Sequence, residues 1–374
     1  MEKSSSLAPE PRPHGAIYAW VDERLGLEEI KAFAAHKIVP EHRHAFWYYW
    51  GGLSLFFFII QVLTGILLLV YYRPGAEAYD SVREITYSVD FGWLIRSAHA
   101  WSANLMVFAV VVHMISVFFM KAYRAPREFG WWSGLVLLGL TLLFGFSGYL
   151  LPMDELAYFA TKVGLDIPKA IPGMGPFIEH IVQGGPEVTS VTIQRFFALH
   201  AVILPLTFIL VLAFHLWLVQ KHGNAVPPSE EAKPPQQRRG IPFFPNFLMK
   251  DVAMWLIALN VLAMLASLYP WELGPQADPL AAAPLGIHPE WYFMAPFQLL
   301  KYLGHVVPGM LGEYLGIFLF TAGGALWAIV PLYDTRSAGG QRARRATWFG
   351  FAIVVALVAL TILGYIEVAA ALRP

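Results

Sequence analysis

The chain has 374 residues, of which 57% are hydrophobic and only 14% charged, against about 25% charged in an ordinary soluble domain. A soluble fold cannot hide that much apolar surface, so the composition excludes a freely soluble globular protein. Basic and acidic side chains balance at 26 each, so the net charge itself says little, and no nucleic-acid partner is expected. The absence of cysteine excludes disulfides, thiolate metal sites and thioether-linked cofactors.

The N-terminal stretch Ser4 to His14 is polar and contains proline without the apolar core of a secretory signal, and is expected to be a disordered tail. From Ile17 to Ala35, Ile17, Trp20, Leu27, Ile30 and Phe33 recur among charged residues in a roughly helical pattern, which predicts an amphipathic helix along a membrane interface. Seven stretches then lack Asp, Glu, Lys and Arg: 44–72, 97–120, 129–153, 196–220, 252–271, 314–333 and 346–366. Each reads as a transmembrane helix, giving an all-α integral membrane protein. Between the fourth and fifth, His222 to Phe247 contains six prolines and the segment SEEAKPPQQRR, read as an exposed linker. The expected organisation is a tail and interfacial helix (1–45), a four-helix bundle (46–221), the linker (222–247) and a three-helix part (248–374).

Orientation follows from the basic residues. With the N-terminus inside (the n side), 18 of the 26 Lys and Arg fall on the n side and eight on the outer (p) side. The positive-inside rule favours that arrangement, with the C-terminus on the p side.

Four histidines sit in two pairs on apolar segments: His99 with His113, and His200 with His215, 14 and 15 positions apart. On a helix this is about 21 to 22 Å along the axis, with both side chains within roughly 60° of one face. Two levels so spaced fit inside a hydrocarbon core of about 30 Å. A single intramembrane histidine is equally a packing residue or a proton relay, whereas two matched pairs suit two stacked haems, each iron held by two imidazoles with no open position. The second and fourth helices both run from p to n, so His99 pairs with His200 at the p side and His113 with His215 at the n side. Gly51 and Gly65 on the first helix, and Gly134 and Gly148 on the third, repeat the 14-residue spacing and are expected to give the haem faces room. Arg96, one turn before His99, is a candidate for a haem propionate or a snorkelling anchor. Lys121, Arg124 and Arg127, in the n-side turn between helices two and three, are candidates for propionates or an n-side quinone, although topology alone also places basic residues there.

The paired histidines, the spaced glycines, the segment FGWLIRSAH and the tetrapeptide Pro289-Glu290-Trp291-Tyr292 together resemble cytochrome b of the quinol:cytochrome c oxidoreductases, the bc complexes, from about residue 17 to 366. Seven helices and the 15-residue spacing in helix four are similar to the chloroplast-type branch, in which the first four and last three helices are separate polypeptides; here they are fused. Two positions depart from that branch. The cysteine that attaches an extra n-side haem is matched by Tyr49, and a basic residue after His215 by Gln220, so no covalent haem is expected. Ala100, after His99, matches the mitochondrial-type pattern instead.

The resemblance implies two non-covalent b-type haems (iron protoporphyrin), a quinol substrate, a Rieske iron-sulfur partner, a c-type cytochrome and a homodimeric complex in the bacterial inner membrane. A carboxylate in an apolar pocket can accept a proton at a raised pKa, and the resemblance gives Glu290 that role toward quinol, with Tyr292 as a hydrogen-bonding group and Pro289 and Trp291 completing the motif. It further implies electron bifurcation: one electron to the Rieske protein, the other through both haems to an n-side quinone, coupled to proton translocation. Two other classes fit parts of the sequence. A di-haem anchor relaying electrons from a dehydrogenase to the quinone pool gives no role to Glu290, and a histidine-relay transporter needs no haem.

Overall fold

The computed structural model describes residues 15–169, 171, 173–307, 309–336 and 340–373; the tail expectation for Ser4 to His14 lies outside them. Among these residues, seven helices are long and apolar enough to cross a membrane. The first amphipathic segment folds as two helices, α1 (Ala16–Leu25) and α2 (Leu27–His36), because Gly26 between them takes the left-handed conformation that ends a helix (φ 61°). The first four spanning helices are α3 (Tyr49–Leu69), α5 (Gly92–Phe119), α6 (Glu128–Tyr149) and α8 (Ser190–His222). At the end of the bundle expected to face the p side, and labelled so below, α4 (Ala78–Tyr87) connects α3 to α5, and α7 (Glu155–Lys169) follows α6. The last three spanning helices are α9 (Leu248–Leu268), α11 (Met310–Tyr333) and α12 (Gly340–Ala371), with α10 (Trp291–Val306) in the p-side loop between α9 and α11.

Every expected span is present, but the ends differ, chiefly for one reason. A charge-free window stops at the first ionised side chain, whereas a helix continues through it where the head reaches the interface. Thus α5 begins before Arg96, α9 contains Lys250 and Asp251, and α12 contains Arg342, Arg344, Arg345 and Glu367. Conversely, α6 stops at Tyr149 although the apolar run continues to Met153, because Pro152 cannot extend the ladder.

Within the four-helix part, α3 packs chiefly on α5 and α6 on α8. Leu53, Phe56, Phe57, Met106, Leu137 and Phe208 form a buried cluster between the two histidine levels, and the Phe58 and Phe208 rings stack at 4.4 Å. At the n side the C-terminal part joins through aromatic rings. Trp327 of α11 stacks on Phe118 of α5 at 4.1 Å, and Gly350 of α12 lies so close to Phe118 that a Cβ there would overlap the ring. Asp334, at the end of α11, is fully buried and bonded by Tyr123 (2.5 Å), Arg124 (2.6 Å) and Lys121 (3.1 Å). Burial pushes its carboxyl up, but the bonds from Tyr123, Arg124 and Lys121 outweigh that and hold it below the usual range.

The linker is more ordered than its composition suggests. Strand β1 (Ile38–Glu41), before α3, pairs antiparallel with β2 (Arg239–Pro242) at the linker's end, with Val39 opposite Ile241. Lys37 reaches the carbonyl of Gln220, and Tyr48 donates to Ala225 at 2.6 Å. Residues between these anchors are largely exposed. Because β1 belongs to the first half and β2 to the second, co-expressed fragments 1–233 and 234–374 should co-purify as an assembled complex. A second fragment starting at 243, lacking β2, should co-purify poorly; equal recovery of both pairs would remove the strand pairing from the assembly.

Candidate functional site

The p-side histidine level is built by α5 and α8. His99 and His200 face each other with ring centres 6.4 Å apart and planes at 69°. Two metal–imidazole bonds of about 2 Å each, with about 1.1 Å from nitrogen to ring centre at either end, add up to about this distance. The gap therefore fits one iron coordinated from both sides. Among the described residues no cluster of three or more His, Asp or Glu gathers as a protein-only metal cage. The n-side level is carried by the same pair of helices, with His113 of α5 against Gly51 and His215 of α8 against Gly134.

The unequal spacings, 14 on α5 and 15 on α8, have a local cause. Residues Leu199–Ile203, which include His200, form a π-helical turn. A π-turn accommodates one extra residue within the α-helical repeat, so 15 positions on α8 reach as far around and along as 14 on α5. Pro205, just beyond, lacks the N–H of a regular turn, which favours that accommodation.

The four glycines each face one of these rings. A Cβ on Gly51 would lie 3.1 Å from His113 Cε1, on Gly65 3.5 Å from His99, on Gly134 3.4 Å from His215 and on Gly148 2.7 Å from His200. The room they leave is thus taken first by imidazole edges, which refines the expectation that they make room for a macrocycle. The residue preceding three of them fixes the ring. Thr64 Oγ1 lies 2.8 Å from His99 Nδ1, Ser133 Oγ 2.9 Å from His215 Nδ1, and Ser147 Oγ 3.1 Å from His200 Nδ1. Each hydroxyl donates its own proton to a carbonyl in its helix, of Ile60, Gly130 and Phe144 respectively. It therefore accepts from Nδ1–H, which leaves Nε2 unprotonated and free to ligate a metal. Gln61 secures the same level by donating to the His99 carbonyl at 2.6 Å.

Against the p-side end of α6 lies a cavity of about 440 Å³, enclosed by α6, α7, α10, α11 and the loop before α10. Its polar side chains are Tyr149, His288, Glu290, Tyr292 and Thr321; the rest of the lining is apolar or glycine. Three of the four motif positions line it. Pro289, Glu290 and Tyr292 line the cavity, while Trp291 anchors α10 by donating to Asn104 of α5 at 2.9 Å. Gly145 gives the Tyr292 hydroxyl room, since a Cβ there would come within 2.6 Å of it. Burial pushes the Glu290 carboxyl above its usual value, and burial together with the Glu290 and Tyr149 charges pushes the Tyr292 phenol up. Helix α6 separates cavity from histidine: Phe146 and Tyr149 face the cavity, and Ser147 and Gly148 contact His200.

The basic candidates are placed differently from one another. The Arg96 guanidinium is buried and bonds the carbonyls of Trp271 (2.6 Å) and Glu272 (3.2 Å), so it straps the p-side loop onto α5. Lys121 and Arg124 are committed to Asp334, and Arg127 to the carbonyls of His222 and Gly223. Tyr49 stacks on Phe247 at 5.0 Å, which joins the N-terminus of α3 to that of α9. Sequence reasoning passed over Asp251. It stands in the first turn of α9, where an acidic residue reads simply as a complement to the helix dipole. Its Oδ1 is nevertheless buried without a hydrogen-bond partner, and its carboxyl adjoins Gly52, next to the glycine that packs on His113.

The chain is similar to known proteins over nearly its whole length. A family model described as cytochrome b(N-terminal)/b6/petB matches residues 104–276, and one described as cytochrome b(C-terminal)/b6/petD matches residues 276–373. A cytochrome bc complex cytochrome b subunit from Chlorobaculum thiosulfatiphilum is 49% identical over 367 residues, 96% of this chain and 84% of that protein. Cytochrome b6 of Chlamydomonas reinhardtii is 40% identical over 212 residues, 56% of this chain and 98% of that one. A solved structure described as a hyperthermophilic respiratory Complex III superposes with a TM-score of 0.76 at 28% identity, covering 94% of this chain and 99% of that chain. With its seven membrane-crossing helices and both halves matched, the chain belongs to the cytochrome b family as a multi-pass membrane protein that carries the family's N-terminal and C-terminal parts in one polypeptide.

Proposed function

We propose that this cytochrome b is the catalytic membrane subunit of a quinol:cytochrome c oxidoreductase, with a Rieske protein and a c-type cytochrome as partners and a homodimeric complex as its setting. The observation that carries the reading is the cavity holding Glu290 and Tyr292, one helix face away from His200. His99 and His200 would hold a p-side b-type haem, and His113 and His215 an n-side one. When bound, the two haems supply a one-electron path across the membrane. A relay-only anchor would leave the cavity and its carboxylate without a role.

A quinol in the cavity must shed two protons and two electrons. Glu290 is the acceptor for a proton, because its carboxylate sits in a mostly apolar wall where burial raises its basicity. Tyr292, whose phenol stays neutral, orients the quinol oxygen by hydrogen bonding. One electron leaves to the Rieske partner and the other enters the transmembrane path toward the cytoplasm. That inward transfer opposes the membrane potential at about 2.3 kcal/mol per 100 mV for the full width, so the downhill first electron must drive the pair. At the n side, Asp251 would be the proton donor to a quinone being reduced there, a role supported by its buried, unpartnered carboxyl oxygen beside Gly52. The expected orientation, N-terminus and linker in the cytoplasm, puts proton release outside and uptake inside.

Glu290→Gln preserves volume and hydrogen bonding but removes the base. Quinol-driven reduction of a c-type acceptor by the intact complex should fall about 10²- to 10⁴-fold with both haem spectra retained. A base must be deprotonated to act, so the acid limb of the wild-type rate should lie above the ordinary carboxylate value of about 4.3 and disappear in the variant. Wild-type rates across that range would remove Glu290 from the mechanism.

The glycine geometry makes a separate prediction about haem content. Gly148→Ala places a methyl 2.7 Å from His200 Cε1, so it should displace the imidazole and lower p-side haem occupancy, whereas Gly65→Ala, at 3.5 Å from His99, should keep both haems. Haem-to-protein stoichiometry of the purified complexes reads this directly. Full occupancy in Gly148→Ala would show that the ring positions seen here are not those used for ligation.

A further inference from the structure

Of the five polar side chains in the p-side cavity, Glu290 alone is a carboxylate, and His288 alone can take up a proton and hold it as a cation near neutral pH. Tyr149, Tyr292 and Thr321 are hydroxyls, which pass a proton on only by giving up their own. A protonated Glu290 therefore shares an otherwise apolar wall with a single base. The two residues are close by construction: two positions of chain span at most about 7 Å, and Pro289 between them favours extended backbone at His288.

The His288 ring bridges the cavity and the outer flank of the bundle. Its Nδ1 lies 2.7 Å from the Gly286 carbonyl, which only accepts, so Nδ1 carries the hydrogen and Nε2 keeps its lone pair. That bond persists when the ring becomes cationic, because Nδ1–H is present in both forms. The ring also stands edge-on to Tyr365 of α12, with centres 5.8 Å apart. Tyr365 is 40% exposed and is not part of the cavity wall. Two residues further along α12, Glu367 pairs with Lys301 of α10 at 2.6 Å, both half exposed, which marks this level as the water interface because an exposed charge pair is costly in hydrocarbon. His288 itself is half-buried.

We propose that His288 is a second proton carrier of the quinol site, taking the quinol proton from Glu290 at Nε2 and releasing it to water beside Tyr365. This rests on the role proposed for Glu290 and deepens it. In the first transfer a quinol O–H bond breaks and a carboxyl O–H forms. In the second that O–H breaks and an Nε2–H bond forms, giving an imidazolium and restoring the carboxylate. Loss of the Nε2 proton to water then restores the neutral ring. No electron moves between Glu290, His288 and water, so the relay needs no partner beyond the solvent, and it readies Glu290 for the next proton.

The test is quinol-driven reduction of a c-type acceptor by the intact purified complex, with the haem spectra as the check on assembly. His288→Asn keeps an N–H donor near the Nδ1 position for the Gly286 carbonyl but has no atom at Nε2, so it separates loop anchoring from proton transfer. Its rate should fall about 10²-fold, the lower end of base contributions, with both haem spectra retained. Imidazole added to the buffer should restore much of that rate and leave the wild type unchanged. If His288→Asn fails to assemble, His288→Gln, which fills the Nε2 position with an amide that cannot take up a proton, carries the same expectations. Combined with Glu290→Gln the losses should not multiply, because two carriers in series handle one proton, and the double variant should be no slower than Glu290→Gln alone. Wild-type turnover in His288→Asn, a loss that imidazole does not restore, or losses that multiply would each overturn the relay; with Glu290→Gln still slow, the quinol-site reading stands. Wild-type rates in Glu290→Gln overturn both.

Discussion

The four-helix part is arranged around one constraint: buried imidazole rings need a close backbone on one side and, at His99, His200 and His215, a polar partner at Nδ1. A polar group in hydrocarbon without a partner costs several kcal/mol. The dipeptide of a hydroxyl residue and a glycine meets both needs within two positions. The glycine admits the ring edge, and the hydroxyl, already bonded to its own helix, turns a lone pair toward the ring. Because α6 carries two such dipeptides 14 residues apart, and α3 carries its two glycines at the same spacing with a hydroxyl only before Gly65, two levels follow, and the π-turn at Leu199–Ile203 brings α8 into step with α5.

The p-side cavity depends on the same helix. Residues 144 to 149 of α6 alternate between two faces, Gly145, Phe146 and Tyr149 toward the cavity and Phe144, Ser147 and Gly148 toward His200, so one helix separates the cavity from the histidine level. The loop that carries Glu290 is held down by backbone bonds in place of charge pairs. Arg96 takes the carbonyls of Trp271 and Glu272, Ser97 bonds Ala266 and Trp271, and Glu155 N–H donates to the Pro275 carbonyl.

The spans were legible because charge is costly in hydrocarbon, and the histidine and glycine periodicities because a 14-residue spacing returns to nearly the same helix face. Pairing of His99 with His200 followed from helix polarity alone. Three features were not legible. The function of Thr64, Ser133 and Ser147 depends on which neighbouring helix they face, and serine or threonine in an apolar helix ordinarily bonds only its own backbone. Asp251 and Arg96 reach partners or neighbours across 175 to 200 residues of sequence, which no local pattern records. β2 lies in a proline-rich stretch that composition assigns to a loop, and forms because β1 offers it an edge.

The n side shows why one chain or two can build this fold. Asp334 at the end of α11 gathers Lys121, Arg124 and Tyr123 from the α5–α6 turn, Trp327 stacks on Phe118, and β1 pairs with β2. Breaking a buried ion pair by removing one partner typically costs about 3–5 kcal/mol, more than the difference a tether of this length makes, since loop closure entropy grows only logarithmically with length. The register between the halves is therefore fixed by noncovalent contacts at the membrane surface. The covalent link between Ala225 and Arg239 adds proximity during assembly while contributing little to the geometry of the site, so fusion of the two parts and their separation into two polypeptides are structurally close to equivalent.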